Sequence, residues 1–235
     1  MKGRVLANEI IPYREMCTRE GEAQLQKGMN FGRGRKHSIL LMSRRRNAPY
    51  RDRHENDGEV LIYEGHDQPK SAKLRDTKLV DQPLSTSRGL LTENGHFDAA
   101  ARAYKTGQRA PERVRVYEKL FKGVWSYNGM FHLTDSWTEA DENRRVCKFR
   151  LEAVEGEEDF ASPVPASPVR RRVIPSTVKL EVWSRDKGRC AKCGANDGLH
   201  FDHIIPFSKG GSSETAANVQ LLCERHNLEK SDSIE

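Results

Sequence analysis

No apolar run in this 235-residue chain approaches the roughly 18 residues that a membrane-spanning helix needs. The opening residues, MKGRVLANEI, lack the apolar core of an export signal. The expectation is therefore a cytoplasmic protein with no membrane partner. Internal repeats are missing, which argues against a solenoid or propeller. Cysteine is sparse: of five, three fall in one C-terminal cluster with a histidine. That pattern in an unexported chain points to metal ligation rather than to a disulfide framework. Cys17 and Cys147 stand apart and read as buried thiols.

What is present is charge. Charged residues make up 31% of the chain, and the mean hydropathy is −0.79. The length suits one large or two modest domains. Residues 1–155 hold 29 Lys and Arg against 22 Asp and Glu, whereas residues 173–235 hold 8 against 9. Positive charge concentrated in the N-terminal part fits contact with a polyanion; solubility alone is the plainer explanation of such an excess.

The stretch GEEDFASPVPASPVRRRVIP contains four prolines, an acidic patch and a basic triplet. Proline fixes φ and removes a donor, so residues 156–172 read as a semi-rigid linker between an N-terminal domain (1–155) and a C-terminal one (173–235). In the first part, residues 20–28 look helical and end at a glycine, and residues 98–104 look like a short helix. Ile39–Met42, Val60–Tyr63, Val114–Tyr117, Gly129–Leu133 and Val146–Leu151 have strand character. Short strands between turn signals suggest a barrel-like sheet, and the fold class expected is α+β. In the second part Ser176 is a candidate N-cap for a helix with Val178, Val182 and Trp183 on its apolar face. Strands over residues 199–205 and 219–222 and a final helix follow.

The C-terminal chemistry is dense. Cys190 and Cys193 are spaced as in a zinc knuckle, and Cys223 and His226 repeat the spacing at a helix start. Such a Cys₃His set is suited to a structural zinc ion, which would staple a domain too small to build a sufficient core. Asp202 and His203 close an apolar run before Pro206. The carboxylate can hold a hard cation and the imidazole can deprotonate water near neutral pH. Asn227 can add a second oxygen ligand from the following helix.

With Asn218 added, residues 174–235 resemble the HNH endonuclease family, with its ββα-metal fold. The resemblance implies that His203 is the general base and that Asp202 and Asn227 hold one catalytic Mg²⁺ or Mn²⁺. It also implies that Asn218 orients the base or shapes the loop. The second knuckle is C-x-x-H rather than C-x-x-C. This leaves His226 between zinc ligand and the family's histidine, and we take it as a zinc ligand.

The phrases Tyr50-Arg51-Asp52-Arg53, Tyr63-Glu64-Gly65, VDQPLSTSRGLL and the run from Val114 to Trp137 resemble the SRA (SET and RING associated, or YDG) domain, which flips a modified cytosine out of DNA. The family's central triplet stands here as Tyr127-Asn128-Gly129. By this resemblance Tyr50 and Tyr63 sandwich the base, and Asp52 accepts from its amino group. Glu64 lies near the 5-substituent, where the family has a small polar residue, which would admit 5-hydroxymethylcytosine beside 5-methylcytosine. Arg33, Arg35, Lys36, Arg44, Arg45 and Arg46 become candidate phosphate contacts, and Arg88 a candidate for a loop entering the duplex.

Together these readings imply a restriction-type, modification-dependent DNA endonuclease acting on double-stranded DNA rather than on a small molecule. Two alternatives stay open: a nuclease indifferent to modification, and a non-catalytic reader. One HNH site cuts one strand at a time, so a homodimer is expected. A linker extended at about 3.1 Å per residue would span roughly 50 Å, placing cuts up to roughly 15 base pairs from the modified base.

Overall fold

The computed structural model describes residues 5–25, 27–32, 37–43, 48, 50–71, 74–142, 144–154, 173–206, 209–231 and 233–234. The linker segment, residues 156–172, falls outside them. The chain begins with a short strand β1 (Ile10–Pro12) and helix α1 (Tyr13–Glu20). Strands β2 (Met29–Asn30), β3 (Ser38–Met42), β4 (Arg53–Glu55) and β5 (Val60–Glu64) follow, then helix α2 (Glu93–Lys105). Three long strands, β6 (Glu112–Phe121), β7 (Val124–Asp141) and β8 (Arg144–Ala153), complete this part. The C-terminal part contains α3 (Ser176–Arg185), β9 (Leu199–His203), β10 (Val219–Cys223) and α4 (Glu224–Lys230).

The α+β class is as expected, but the larger sheet is open rather than closed into a barrel. Its order is β2-β3-β6-β7-β8-β5-β4, with β1 added on β7. Neighbours are antiparallel except β3 and β6. The first helix lies earlier than the 20–28 reading. Gly21 adopts φ +66°, a left-handed conformation that stops α1, and its amide donates to the Cys17 and Thr18 carbonyls. Helix α2 is longer than its apolar core, because Thr92 caps it by accepting from the Gly95 amide at 3.2 Å. At α3, Pro175 rather than Ser176 occupies the capping position.

Phe97, Ala100 and Ala101 of α2 pack on Phe131, Phe149, Leu133 and Leu151 of the sheet to form the main core. Each fully buried aromatic or leucine contributes about 1.5–3 kcal/mol. A second core joins Val178 and Val182 of α3 to Leu199, Phe201, Leu221 and Leu222 of the small β9–β10 sheet. Cys17 and Cys147 are buried thiols, as their isolation suggested, and burial pushes Cys147 up to about 12.

The two parts are joined by more than the chain. Asn8 and Glu9 bond to the Tyr127 backbone on one side (Asn8 N to Tyr127 O, 2.7 Å; Tyr127 N to Glu9 O, 2.9 Å). On the other side Asn8 accepts from the Phe201 amide at 3.0 Å, and Glu9 bridges to His200. Leu120 of β6 belongs to the C-terminal core, and Phe121 meets Trp183 with ring centroids 5.6 Å apart. Inside this junction the Lys179 ammonium of α3 lies 3.0 Å from Glu118 Oε2 and donates to Asn128 Oδ1 at 2.6 Å. Burial would raise the Glu118 carboxyl, but Lys179 holds it below its ordinary value. Removing one member of such a buried pair costs on the order of 3–5 kcal/mol.

Val173 re-enters against Gly58, its amide donating to the Gly58 carbonyl at 3.2 Å. Gly58 sits at φ +88°, and a Cβ there would press on the Val173 carbonyl oxygen. Gly58→Ala is expected to lower stability by roughly 2 kcal/mol, measured by denaturant unfolding of the full chain.

Candidate functional site

The metal-ligating residues expected from spacing converge. Donor atoms of Cys190, Cys193, Cys223 and His226 lie within 4.8 Å of one another. His226 Nδ1 is 3.3 Å from Cys190 Sγ and 3.4 Å from Cys223 Sγ, and the Cys193 and Cys223 sulfurs are 3.8 Å apart. A tetrahedron with metal–ligand lengths of about 2.1–2.3 Å has edges of roughly 3.5–3.8 Å, so the donor set fits a four-coordinate ion. The knuckle forms because Gly194 turns the chain at φ +74° and donates to the Cys190 carbonyl at 2.8 Å. Burial opposes ionisation of Cys190, yet backbone amides of Cys223 and Cys193 and the His226 ring bring its thiol down to about 6. A thiolate is the form a metal needs.

Asp202 and His203 occupy the end of β9, paired with Gln220 and Val219 of β10. His203 Nε2 is 2.9 Å from Ser213 Oγ, a fully buried hydroxyl. Asp202 Oδ2 is 3.1 Å from Lys230 Nζ, which also donates to the His203 carbonyl at 2.7 Å. Gln220 Nε2 lies 3.4 Å from the same carboxylate oxygen. Asn218 ties the loop: its Oδ1 accepts from the Ile205 amide at 2.9 Å, and its Nδ2 donates to Ile205 and Ser212 carbonyls at 3.1 and 3.0 Å. Asn227 is half-buried on α4, three residues before Lys230 and so on the same face. Sequence reasoning did not find Ser213 or Lys230. Their roles depend on contacts across a loop and from a helix end, which no local spacing encodes.

In the larger domain a cavity of about 380 Å³ is lined by Ala48, Arg51, Glu64, Lys78, Asp141 and Arg144 among others. Tyr50 and Tyr63 do not face each other across an open slot. Tyr63 is fully buried, with its hydroxyl 3.2 Å from His66 Nε2 and donating to the Leu41 carbonyl at 3.4 Å. Tyr50 stacks on His66 with centroids 5.1 Å apart, and Lys78 Nζ covers its ring at 4.5 Å. Asp52 Oδ1 accepts from the Glu64 amide at 3.0 Å.

Glu64 is a buried clasp: Oε2 accepts from the Arg51 amide at 3.0 Å and from Lys148 Nζ at 2.9 Å, while Arg144 lies 3.4 Å from Oε1. Arg144 also pairs with Asp67, which Lys78 holds at 2.9 Å. Burial would raise the Asp67 carboxyl, but Lys78 and Arg144 hold it below the usual range. His66, Lys78, Arg144 and Lys148 had no sequence signal beyond their charge or ring. Arg88 is exposed in a turn closed by the Thr86 amide to the Leu90 carbonyl (2.8 Å), with Leu90 exposed beside it. Arg33, Arg35, Lys36, Arg44, Arg45 and Arg46 lie outside the described residues.

This chain belongs to the SAD/SRA domain family, whose model matches residues 9–157; the HNH endonuclease model matches residues 190–233. The chain is also similar to solved structures. One is the SUVH5 SRA domain with fully methylated CG DNA (20% identity, 67% of this chain and 94% of that chain, TM-score 0.44). A second is the SUVH5 SRA domain bound to fully hydroxymethylated CG DNA (19%, 68% and 95%, TM-score 0.45). A third is KRYPTONITE in complex with mCHG DNA and SAH (17%, 69% and 35%, TM-score 0.42). Comparison with curated proteins finds no match. No helix among the described residues is long and apolar enough to cross a membrane.

Burial lowers the His66 imidazole from 6.5 to about 4. The unfolded chain therefore binds this proton first, and stability falls as pH drops from about 6.5 through about 4. The full effect is roughly 3 kcal/mol. His132 and His200 are also lowered by burial and add to the same slope. Thermal melts between pH 7.5 and 5 should show a shallower loss for His66→Gln than for the unsubstituted chain.

Proposed function

We propose that this protein is a modification-dependent DNA endonuclease of restriction type. The SAD/SRA domain (1–155) extrudes and holds 5-methylcytosine or 5-hydroxymethylcytosine, and the HNH domain (173–235) hydrolyses a nearby phosphodiester. The observation that carries the reading is the end of β9. There His203 and Asp202 are consecutive on the strand, the imidazole tied to Ser213 and the carboxylate to Lys230, within the stretch matching the HNH endonuclease model.

His203 takes the proton of the attacking water as the P–O bond to the leaving 3′ oxygen breaks. Ser213 fixes the plane of the imidazole, and Asn218 fixes the loop that carries Ser213. Asp202 and Asn227 would hold the divalent cation, Mg²⁺ or Mn²⁺, whose charge neutralises the phosphate and the leaving oxygen. Lys230 keeps the Asp202–His203 backbone in register while competing for the carboxylate. Cys190, Cys193, Cys223 and His226 would hold a structural Zn²⁺, which would fix α4 to the knuckle.

At the other end, a cavity of about 380 Å³ lies in the range of small-ligand pockets and is walled by polar and charged groups. That lining suits a base with a polar 5-substituent. Tyr50 and Tyr63 offer ring faces once His66 or Lys78 yields, and Asp52 offers a carboxylate to the exocyclic amine. The exposed Arg88–Leu90 tip is suited to enter the duplex, with an apolar wedge beside a cation. Arg33, Arg35, Lys36, Arg44, Arg45 and Arg46 would neutralise phosphates. Two chains acting together would cut both strands.

One duplex prepared unmodified, methylated and hydroxymethylated tests the reading. With Mg²⁺ or Mn²⁺, cleavage of the modified forms alone is expected. Equal cutting of all three would identify a nuclease indifferent to modification, and no cutting of any would identify a reader. His203→Ala should lower cleavage by at least a thousandfold, roughly 4 kcal/mol or more, while leaving the DNA dissociation constant within about twofold. Strong chelation should release one Zn²⁺ per chain and lower the melting temperature of the C-terminal core, read by metal analysis and near-UV circular dichroism.

A further inference from the structure

The segment outside the described residues between 154 and 173 leaves from and returns to one place. The Ala153 amide bonds to the Glu59 carbonyl at 2.8 Å, and the Val173 amide to the adjacent Gly58 carbonyl at 3.2 Å. Val173 packs in the core of the larger domain, and Ile174, the next residue, packs in the core of the smaller. The separation between the two domains is therefore spanned by one peptide bond and by the junction itself, not by residues 155–172. This displaces the estimate of reach from an extended linker.

The junction is specific. Lys179, Glu118 and Asn128 are each 1% exposed or less. The three side chains close a triangle: Lys179 to Glu118 at 3.0 Å, Lys179 to Asn128 at 2.6 Å, and Asn128 Nδ2 to Glu118 Oε2 at 3.3 Å. The triangle also explains why the family's central Y-D-G triplet stands here as Tyr127-Asn128-Gly129. An amide accepts from Lys179 with its oxygen and donates to Glu118 with its nitrogen, leaving the buried charges balanced. An aspartate could not donate, and it would set a second carboxylate against Glu118. Helix α3, which supplies Lys179, lies between the two matched stretches, 9–157 and 190–233. The Tyr127 backbone of the same triplet holds Asn8 and Glu9, which bond onward to β9, the strand that ends in Asp202 and His203.

We propose that Lys179 is a positioning residue: its lock with Glu118 and Asn128 holds the nuclease site at one fixed place relative to the base-binding cavity, so cuts fall at a set spacing that does not depend on linker length. The spacing rests on the endonuclease reading above; the rigid docking does not.

The experiment uses the full chain and two readouts. Cut positions are mapped on a duplex with a single modified cytosine, and the longest dimension of the particle is measured by small-angle X-ray scattering. Doubling residues 155–172 with Gly and Ser is expected to leave both unchanged. Lys179→Glu should spread the cuts several-fold and lengthen the particle, and adding Glu118→Lys to it should restore both. The lock is refuted if the doubled segment alone spreads the cuts or lengthens the particle. It is equally refuted if Lys179→Glu keeps its melting transition and changes neither readout. Should Lys179→Glu fail to fold, the doubled segment decides. If no duplex is cut by the unsubstituted chain, the endonuclease reading falls, and scattering still decides the docking.

Discussion

An ammonium group fully removed from water is tolerated only when its partners replace the lost hydration. Lys179 meets that condition with one carboxylate and one amide, both presented by neighbouring strands of the large sheet. The rest of the architecture is consistent with it. The N-terminal segment bridges the two sheets, and Leu120 packs in the second core beside Val178 and Val182 of α3. The same physics recurs at Glu64. There a buried carboxylate is held by Lys148 and Arg144, and it ties the loop carrying Tyr50 and Arg51 to β8. Both clasps place charge where water cannot screen it, so both are geometrically exacting.

The two chemical centres are built in contrasting ways. The candidate site at Asp202 and His203 stands on short, locally encoded elements: a knuckle, a hairpin of two strands and a helix of two turns. Four side chains suited to hold a metal lie at close range beside a small core. The cavity of the larger domain is assembled from distant parts of the chain: Arg51 before β4, Glu64 at the end of β5, Lys78 beyond it, Asp141 at the end of β7 and Arg144 at the start of β8. Tyr50 is already engaged: His66 stacks on its ring, and Lys78 Nζ lies 4.5 Å from the ring centroid. Burial lowers the His66 imidazole to about 4, so the ring that stacks on Tyr50 is uncharged near neutral pH.

What the sequence made legible depended on range. Cys190, Cys193, Cys223 and His226 were readable because the two ligands of a knuckle are separated by two residues, whatever the remainder of the fold does. The α3 stripe of Val178 and Val182, a strand beginning at Leu199 and the final helix followed from periodicity and composition, although the strand stops at His203 rather than running to residue 205. The strands of the larger domain were found at their apolar centres and missed at their ends, because polar residues extend β6, β7 and β8 by pairing with neighbours. Residues 20–28 misled because helix-favouring composition continues past Gly21, and a single left-handed residue outweighs it.

By itself, then, the sequence determined the α+β class, the two recognisable domains and the metal-ligand set, since each is carried by residues close in the chain. Tertiary structure alone decided that the sheet stays open and that Tyr50 meets His66 instead of Tyr63. It also decided that Ser213 meets His203 and Lys230 meets Asp202, and that Lys179 is buried rather than solvated. Those outcomes depend on which distant groups of matching charge or shape arrive at the same place, and no local pattern of residues records such an encounter.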